Sequence, residues 1–109
     1  MPYSESLAER IRQSLGRRKG IEEKKMFGGV GFLLNGSMLV GVWQTSLIVR
    51  IGPDEYAGAL RKPNVREFDI TGRPMKGWVL IEPDGIEQDR QLSGWIEQAM
   101  TFVETLPAK

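Results

Sequence analysis

The chain contains no cysteine and no histidine. Without cysteine there are no disulfides, thiolate nucleophiles or cysteine metal sites, a usage that fits the cytosol. Without histidine it lacks the commonest zinc ligand, the Ser-His and Cys-His dyads, and the side chain most used as a general base near neutral pH. Most familiar hydrolase designs are thereby excluded. No apolar run approaches the roughly 18 residues of a membrane span, and the opening MPYSESLAER is polar. The expectation is a cytoplasmic protein with no membrane contact. Net charge is nearly absent as well. With 15 basic against 14 acidic side chains, no global field draws the chain onto nucleic acid or anionic lipid, and any such binding needs a local patch.

What is present is an ordinary folding composition, 40% hydrophobic and 27% charged over 109 residues, enough for one domain over residues 1–109. Leu7, Ile11 and Leu15 recur every four residues behind a capping Ser4, which predicts a helix from Ser4 to Leu15 ending in the Gly16–Gly20 basic stretch. Gly29–Leu34, Met38–Trp43 and Leu47–Ile51 are strand-length apolar segments, and Asn35-Gly36 is a strong hairpin signal. Gly52-Pro53-Asp54-Glu55 starts a short helix to Leu60. Strands over Val65–Ile70 and Trp78–Ile81 follow, and the spacing of Leu92, Trp95, Ile96, Ala99, Val103 and Leu106 predicts a last amphipathic helix ended by Pro107. The fold class is α+β: a two-layer α/β sandwich, order α-β-β-β-α-β-β-α, with an antiparallel-rich sheet and helices mainly on one face. There is no internal repeat, linker or low-complexity segment.

Strict alternation from the Asn35-Gly36 turn sets Leu34 against Ser37, Phe32 against Leu39 and Val30 against Gly41. A three-residue turn at Gln44-Thr45-Ser46 then sets Gly41 against Val49 and Leu39 against Ile51. The second face would carry Leu33, Met38, Val40, Val42 and Ile48, with Gly31 and Arg50 among them. Either another element of the chain covers this face or it is an exposed patch for a partner or a second copy, and Val42→Glu would probe it.

Motifs for chemistry are scarce. Gly72 to Gly77 has Walker-like glycine spacing, but Trp78 and Val79 follow where a Lys, a Ser or Thr and a helix are required. Gly28, Gly29 and Gly31 lead into a hairpin strand, not a βαβ unit. Asp54, Glu55, Glu67, Asp69, Glu82 and Asp84 are scattered outside any acid/base or metal motif. No catalytic residue, cofactor or metal site is expected. Trp43, Trp78 and Trp95 are read as core or rim residues, with Trp78, Arg73 and Lys76 the one base-stacking alternative.

The run KKMFGGVGFLLNGSMLVGVW, followed by LIVRIGPDEYAGAL and by DITGRPMKGWVLIEPDG, resembles the TfoX/Sxy family N-terminal domain from about Arg17 to Pro107. Its most specific parts are Met26, Phe27, Gly28 and Gly29, and Gly72, Arg73, Pro74, Met75, Lys76, Gly77 and Trp78. The resemblance implies a two-layer fold similar to secretion chaperones and a connection with bacterial competence-gene regulators that act as transcriptional coactivators beside a DNA-binding partner. Those regulators carry a C-terminal helical domain that this sequence does not contain, so the expectation is a stand-alone domain. The family supplies no catalytic set to carry over.

The leading functional expectation is a non-enzymatic regulatory or protein-interaction module, with a protein such as a transcription regulator, or a second copy of the chain, as partner. Its expected surface is Val40, Val42, Ile48, Arg50, Arg73 and Lys76. Direct nucleic-acid binding through Arg17, Arg18, Lys19, Lys24 and Lys25, joined by Arg73 and Lys76, is the alternative from another class. A small-molecule or enzymatic site near Met26, Phe27 and Trp78 is a third. The signature glycines and Pro74, with Met26, Phe27, Met75 and Trp78, are read as structural, the TGRPMKGW stretch as a shaped turn.

Overall fold

Residues 3–16, 18–26, 28–69 and 75–106 are described by the structure, a computed structural model, the Met26 side chain excepted. Helix α1 (Glu5–Leu15) buries Leu7, Ala8, Ile11 and Leu15, and the Ser4 hydroxyl accepts the Leu7 N–H at 3.2 Å. It closes where the Gly16 N–H donates to the Arg12 carbonyl. Strands β1 (Ile21–Met26), β2 (Gly29–Leu34), β3 (Ser37–Trp43) and β4 (Ser46–Arg50) follow as an antiparallel meander. Helix α2 (Pro53–Leu60), strands β5 (Val65–Glu67) and β6 (Trp78–Ile81), and helix α3 (Asp89–Val103) complete the described elements. The sheet order is β1-β2-β3-β4-β6-β5, so β6 pairs with β4 and the short β5 forms the edge.

All three helices share one face of the sheet. Val30, Phe32 and Leu34 of β2, Val40 and Val42 of β3, Leu47 and Val49 of β4, and Val79 and Ile81 of β6 form one core with α1, with α3 and with Ala59 of α2. Helix α1 and the segment after it are tied to α3 and its approach: Arg10 donates to the Ile86 carbonyl at 2.7 Å and pairs with Asp89, and Arg18 pairs with Glu97 at 2.8 Å. The core supplies most of the stabilisation, because such surface pairs are each worth about 1 kcal/mol or less.

The outlines of α1, β2, α2 and β6 follow the sequence-based expectation, and three features do not. The first is β1, which adds a strand before the hairpin. Glu22, Glu23, Lys24 and Lys25 give it no apolar alternation, but its backbone pairs with β2 from Ile21↔Leu34 to Met26↔Gly29, and its charges suit an open sheet edge. The second is a β-bulge. Leu34↔Ser37 and Leu33↔Met38 are as alternation requires, yet Phe32 faces Val40, leaving Leu39 as an extra residue on β3. Beyond it the phase reverses: Gly31 faces Gly41, Val30 faces Val42, and the next turn is two residues long, with Trp43 opposite Ser46. Val40 and Val42 consequently point at the helices and are 0% exposed, which corrects their expected place on the second face. The third is length. Strand β5 stops at Glu67, and α3 runs from a Gln88–Gln91 capping box to Val103. The expected stop at Pro107 lies outside the described residues.

Two outcomes are expected. Val42→Glu would place a carboxylate in the helix-side core at a cost of about 3 kcal/mol or more, so circular dichroism should find a molten or unfolded chain instead of a surface variant. The Arg12 guanidinium, bound to Glu23 at 2.7 and 2.8 Å, holds the Glu23 carboxyl below its ordinary range. A depressed carboxyl contributes stability above its unfolded pKa of about 4.3 and loses it as pH falls through the folded value. Urea titrations should therefore show wild type more stable than Glu23→Gln at pH 7, with the gap closing on acidification below about pH 4.3.

A helix-free sheet face as the candidate functional site

The other face of the sheet has no helix on it among the described residues. At its centre Ile48, 0% exposed, packs with Leu80 and with Phe68, which leaves the end of β5 to lie over the strands. Trp43, Met75 and Trp78 are half-buried around this cluster. Register places Met38, also half-buried, and Leu33 on the same face. A small apolar cluster is therefore capped by side chains that keep part of their surface in water.

Arg50 borders the cluster. It stands opposite Trp78 across β4 and β6, its guanidinium carbon 5.3 Å from the Trp78 ring centroid and 5.6 Å from that of Phe102 on α3. Two aromatic faces fix the cation by cation–π attraction of about 0.5–1 kcal/mol each. Among the described residues no carboxylate pairs with it, so its N–H donors remain available. Two backbone constraints build this arrangement. The Gly77 carbonyl accepts both the Ile51 and Gly52 N–H groups, at 2.9 and 3.1 Å, and sets Trp78 opposite Arg50. Gly52, at φ 87°, leaves the space the Phe102 ring fills, which a Cβ there would overlap.

The described half of the TGRPMKGW stretch is thus a turn that delivers Trp78. The Trp78 N–H donates to the Met75 carbonyl at 3.0 Å, and the Met75 N–H returns to the Phe68 carbonyl at 3.2 Å. The other signature stretch is also a chain reversal, with Met26 and Gly29 cross-strand partners and Gly28 in the connection. A scan against family models matches the TfoX N-terminal domain over residues 13–103, from the last turn of α1 through the whole sheet to the end of α3. The chain belongs to the TfoX N-terminal domain family. No curated protein and no solved structure matches it.

Of the surface expected for this TfoX N-terminal domain, Arg50 borders the helix-free face, the exposed Lys76 lies in the turn between Met75 of that face and Gly77, Ile48 lies beneath the face, and Val40 and Val42 lie behind it. Arg73, with Gly72, Pro74 and Phe27, falls outside the described residues, and so does much of the third expected site, near Met26, Phe27 and Trp78. Sequence reasoning missed Trp43, Phe68 and Phe102 as parts of the face and its border. Alternation from the turn puts Trp43 with Gly41 on the helix side, and only the β3 bulge turns it to the open face. Among the described cations of the nucleic-acid alternative, Lys24 and Lys25 sit on opposite sheet faces, Lys24 pairs with Glu22 at 3.3 Å, and Arg18 pairs with Glu97. Arg17 is outside the described residues. Among the described residues no cluster of three or more acids could hold a metal ion, and no helix is long and apolar enough to cross a membrane.

Gly52→Ala should destabilise the domain by roughly 1–3 kcal/mol, from the unfavourable φ and the collision with Phe102. In chemical denaturation the double variant with Phe102→Ala should cost less than the sum of the singles, since removing the ring removes the collision.

Proposed function

We propose that this domain is a non-enzymatic regulatory module that binds a protein partner through the helix-free face of its sheet. The observation that carries this reading is the one-sidedness of the fold: three helices cover one face, while Met38, Trp43, Met75 and Trp78 stay half-exposed on the other beside Arg50 and Lys76. Met, Trp and Arg are the side chains enriched where protein interfaces bury their centres, and Trp and Arg dominate interface energetics. Arg50 meets no carboxylate of its own chain among the described residues, so the partner chemistry that fits is an apolar anchor flanked by an acidic group. The family's link with competence regulators makes a cytoplasmic transcription regulator the first partner to test, with a second copy of the chain as the rival occupant.

The test is cross-linking capture from the native cell with wild type and Lys76→Glu, followed by hydrogen exchange on the reconstituted complex. Lys76 is exposed, so its substitution should shift folding stability by no more than about 0.5 kcal/mol. Loss of the captured protein, with protection mapping to β3, β4 and β6 in the wild-type complex, is the expected result. Equal capture by the variant, or protection confined to the helix layer, would overturn the assignment. Concentration-dependent sedimentation of the purified chain, abolished by Lys76→Glu, would instead make the partner a second copy.

A further inference from the structure

The helix layer carries a second feature, independent of the sheet face. A cleft of about 360 Å³ opens between the first turns of α3 and the connection from α2 to β5, within the size range of small-ligand pockets. Its cations are Lys62 and Arg90, and no carboxylate among the described residues lines it. The Lys62 ammonium lies 5.1 Å from the Trp95 ring centroid, held over the ring face. Arg90 donates its Nε to Gln88 Oε1 at 3.0 Å, which orients the guanidinium and leaves its terminal nitrogens without a protein acceptor among the described residues. The same cap fixes Gln91. Its Oε1 accepts the Gln88 N–H at 2.8 Å, so its amide nitrogen remains a donor at the cleft. These groups also stand at the positive end of the α3 dipole.

Gly94 supplies the independent observation. A glycine inside a helix is unfavourable relative to alanine, and here nothing within 4 Å would oppose a Cβ. Packing within the domain does not require this glycine. It lines the cleft one turn beyond Arg90 and Gln91, where a missing side chain lets a ligand approach the helix backbone.

We propose that this cleft binds a small phosphorylated metabolite, a phosphate monoester held by Lys62, Arg90 and the Gln91 amide with its organic body resting over Gly94 beside Trp95. A point charge, a planar guanidinium and an amide donor around one opening suit a dianion with three acceptor oxygens. The chemistry asked of the site is recognition alone.

Phenyl phosphate is a suitable probe, titrated into the isotope-labelled full chain at ionic strength matched with sodium chloride. Amide shifts should be confined to the Lys62–Asn64 connection and to Gln91, Gly94, Trp95 and Gln98. Affinity should fall as pH drops below the second phosphate pKa of about 6. Lys62→Gln and Arg90→Gln should each weaken binding about tenfold, the loss of one charge-assisted contact. Gly94→Ala separates binding from folding: it should hold or raise the melting temperature while weakening binding, because its methyl occupies the opening. Shifts spread over surface cations elsewhere, or affinity unchanged in both charge variants, would overturn the proposal.

Discussion

The single extra residue in β3 decides which side of this sheet is which. Leu39 is accommodated as a bulge opposite the Phe32–Leu33 step, and both Leu39 and Val40 belong to the helix-side core. Every residue of β3 beyond it changes face relative to strict alternation. Val42 is thereby committed to the helices and Trp43 to the open side, and pairing passes this phase to β4 and on to β6. Without the bulge, two fully buried valines would face the side that no helix covers. The bulge therefore gives the helix layer an uninterrupted apolar floor and leaves the opposite face with larger, amphipathic side chains that tolerate water.

A second constraint acts at the end of β4. One carbonyl, that of Gly77, receives two consecutive N–H groups and joins the start of α2 to the start of β6. This is where the most specific family signature meets the rest of the fold. The glycine is needed by a backbone at φ 93°, where an added Cβ would come within 3.3 Å of the Gly52 carbonyl carbon. Trp78 follows as the side chain delivered, and Arg50 is held between it and Phe102. The described part of the signature, Met75 to Trp78, is in this sense architectural: it builds the border of the open face.

How much of this was legible in the sequence depends on the range of the determinant. Helix α1 is local, specified by a cap and a four-residue apolar repeat, and α2 by Gly52-Pro53 with acids in its first turn; both stand where expected. Strand β1 was not legible because its four central charges carry no period, and its existence depends on the free edge of β2. The bulge left no mark in composition, since Leu39 and Val40 are equally good strand residues. That one unmarked residue displaced Val40 and Val42 from the expected partner surface while leaving Ile48 and Arg50 on the correct side. The Arg50 cage was hidden for a different reason. Phe102 reads as one more residue of an amphipathic helix, and only the fold shows that it fills the space above Gly52.

The two layers consequently present different chemistries. On the sheet side, the groups left in water are large and half-apolar, and the one caged cation lies at their border, a combination suited to excluding water over a broad contact. On the helix side, the apolar surface is spent on the core, and what remains at the start of α3 is a set of oriented donors around a gap in the helix surface. A broad macromolecular contact needs the first arrangement and gains little from the second; a small anion needs the second and finds few donors in the first. Because the sheet lies between them, occupancy of one face does not sterically block the other. Any coupling between the two would have to pass through α3, whose first turns line the cleft and whose Phe102 touches the Arg50 cage.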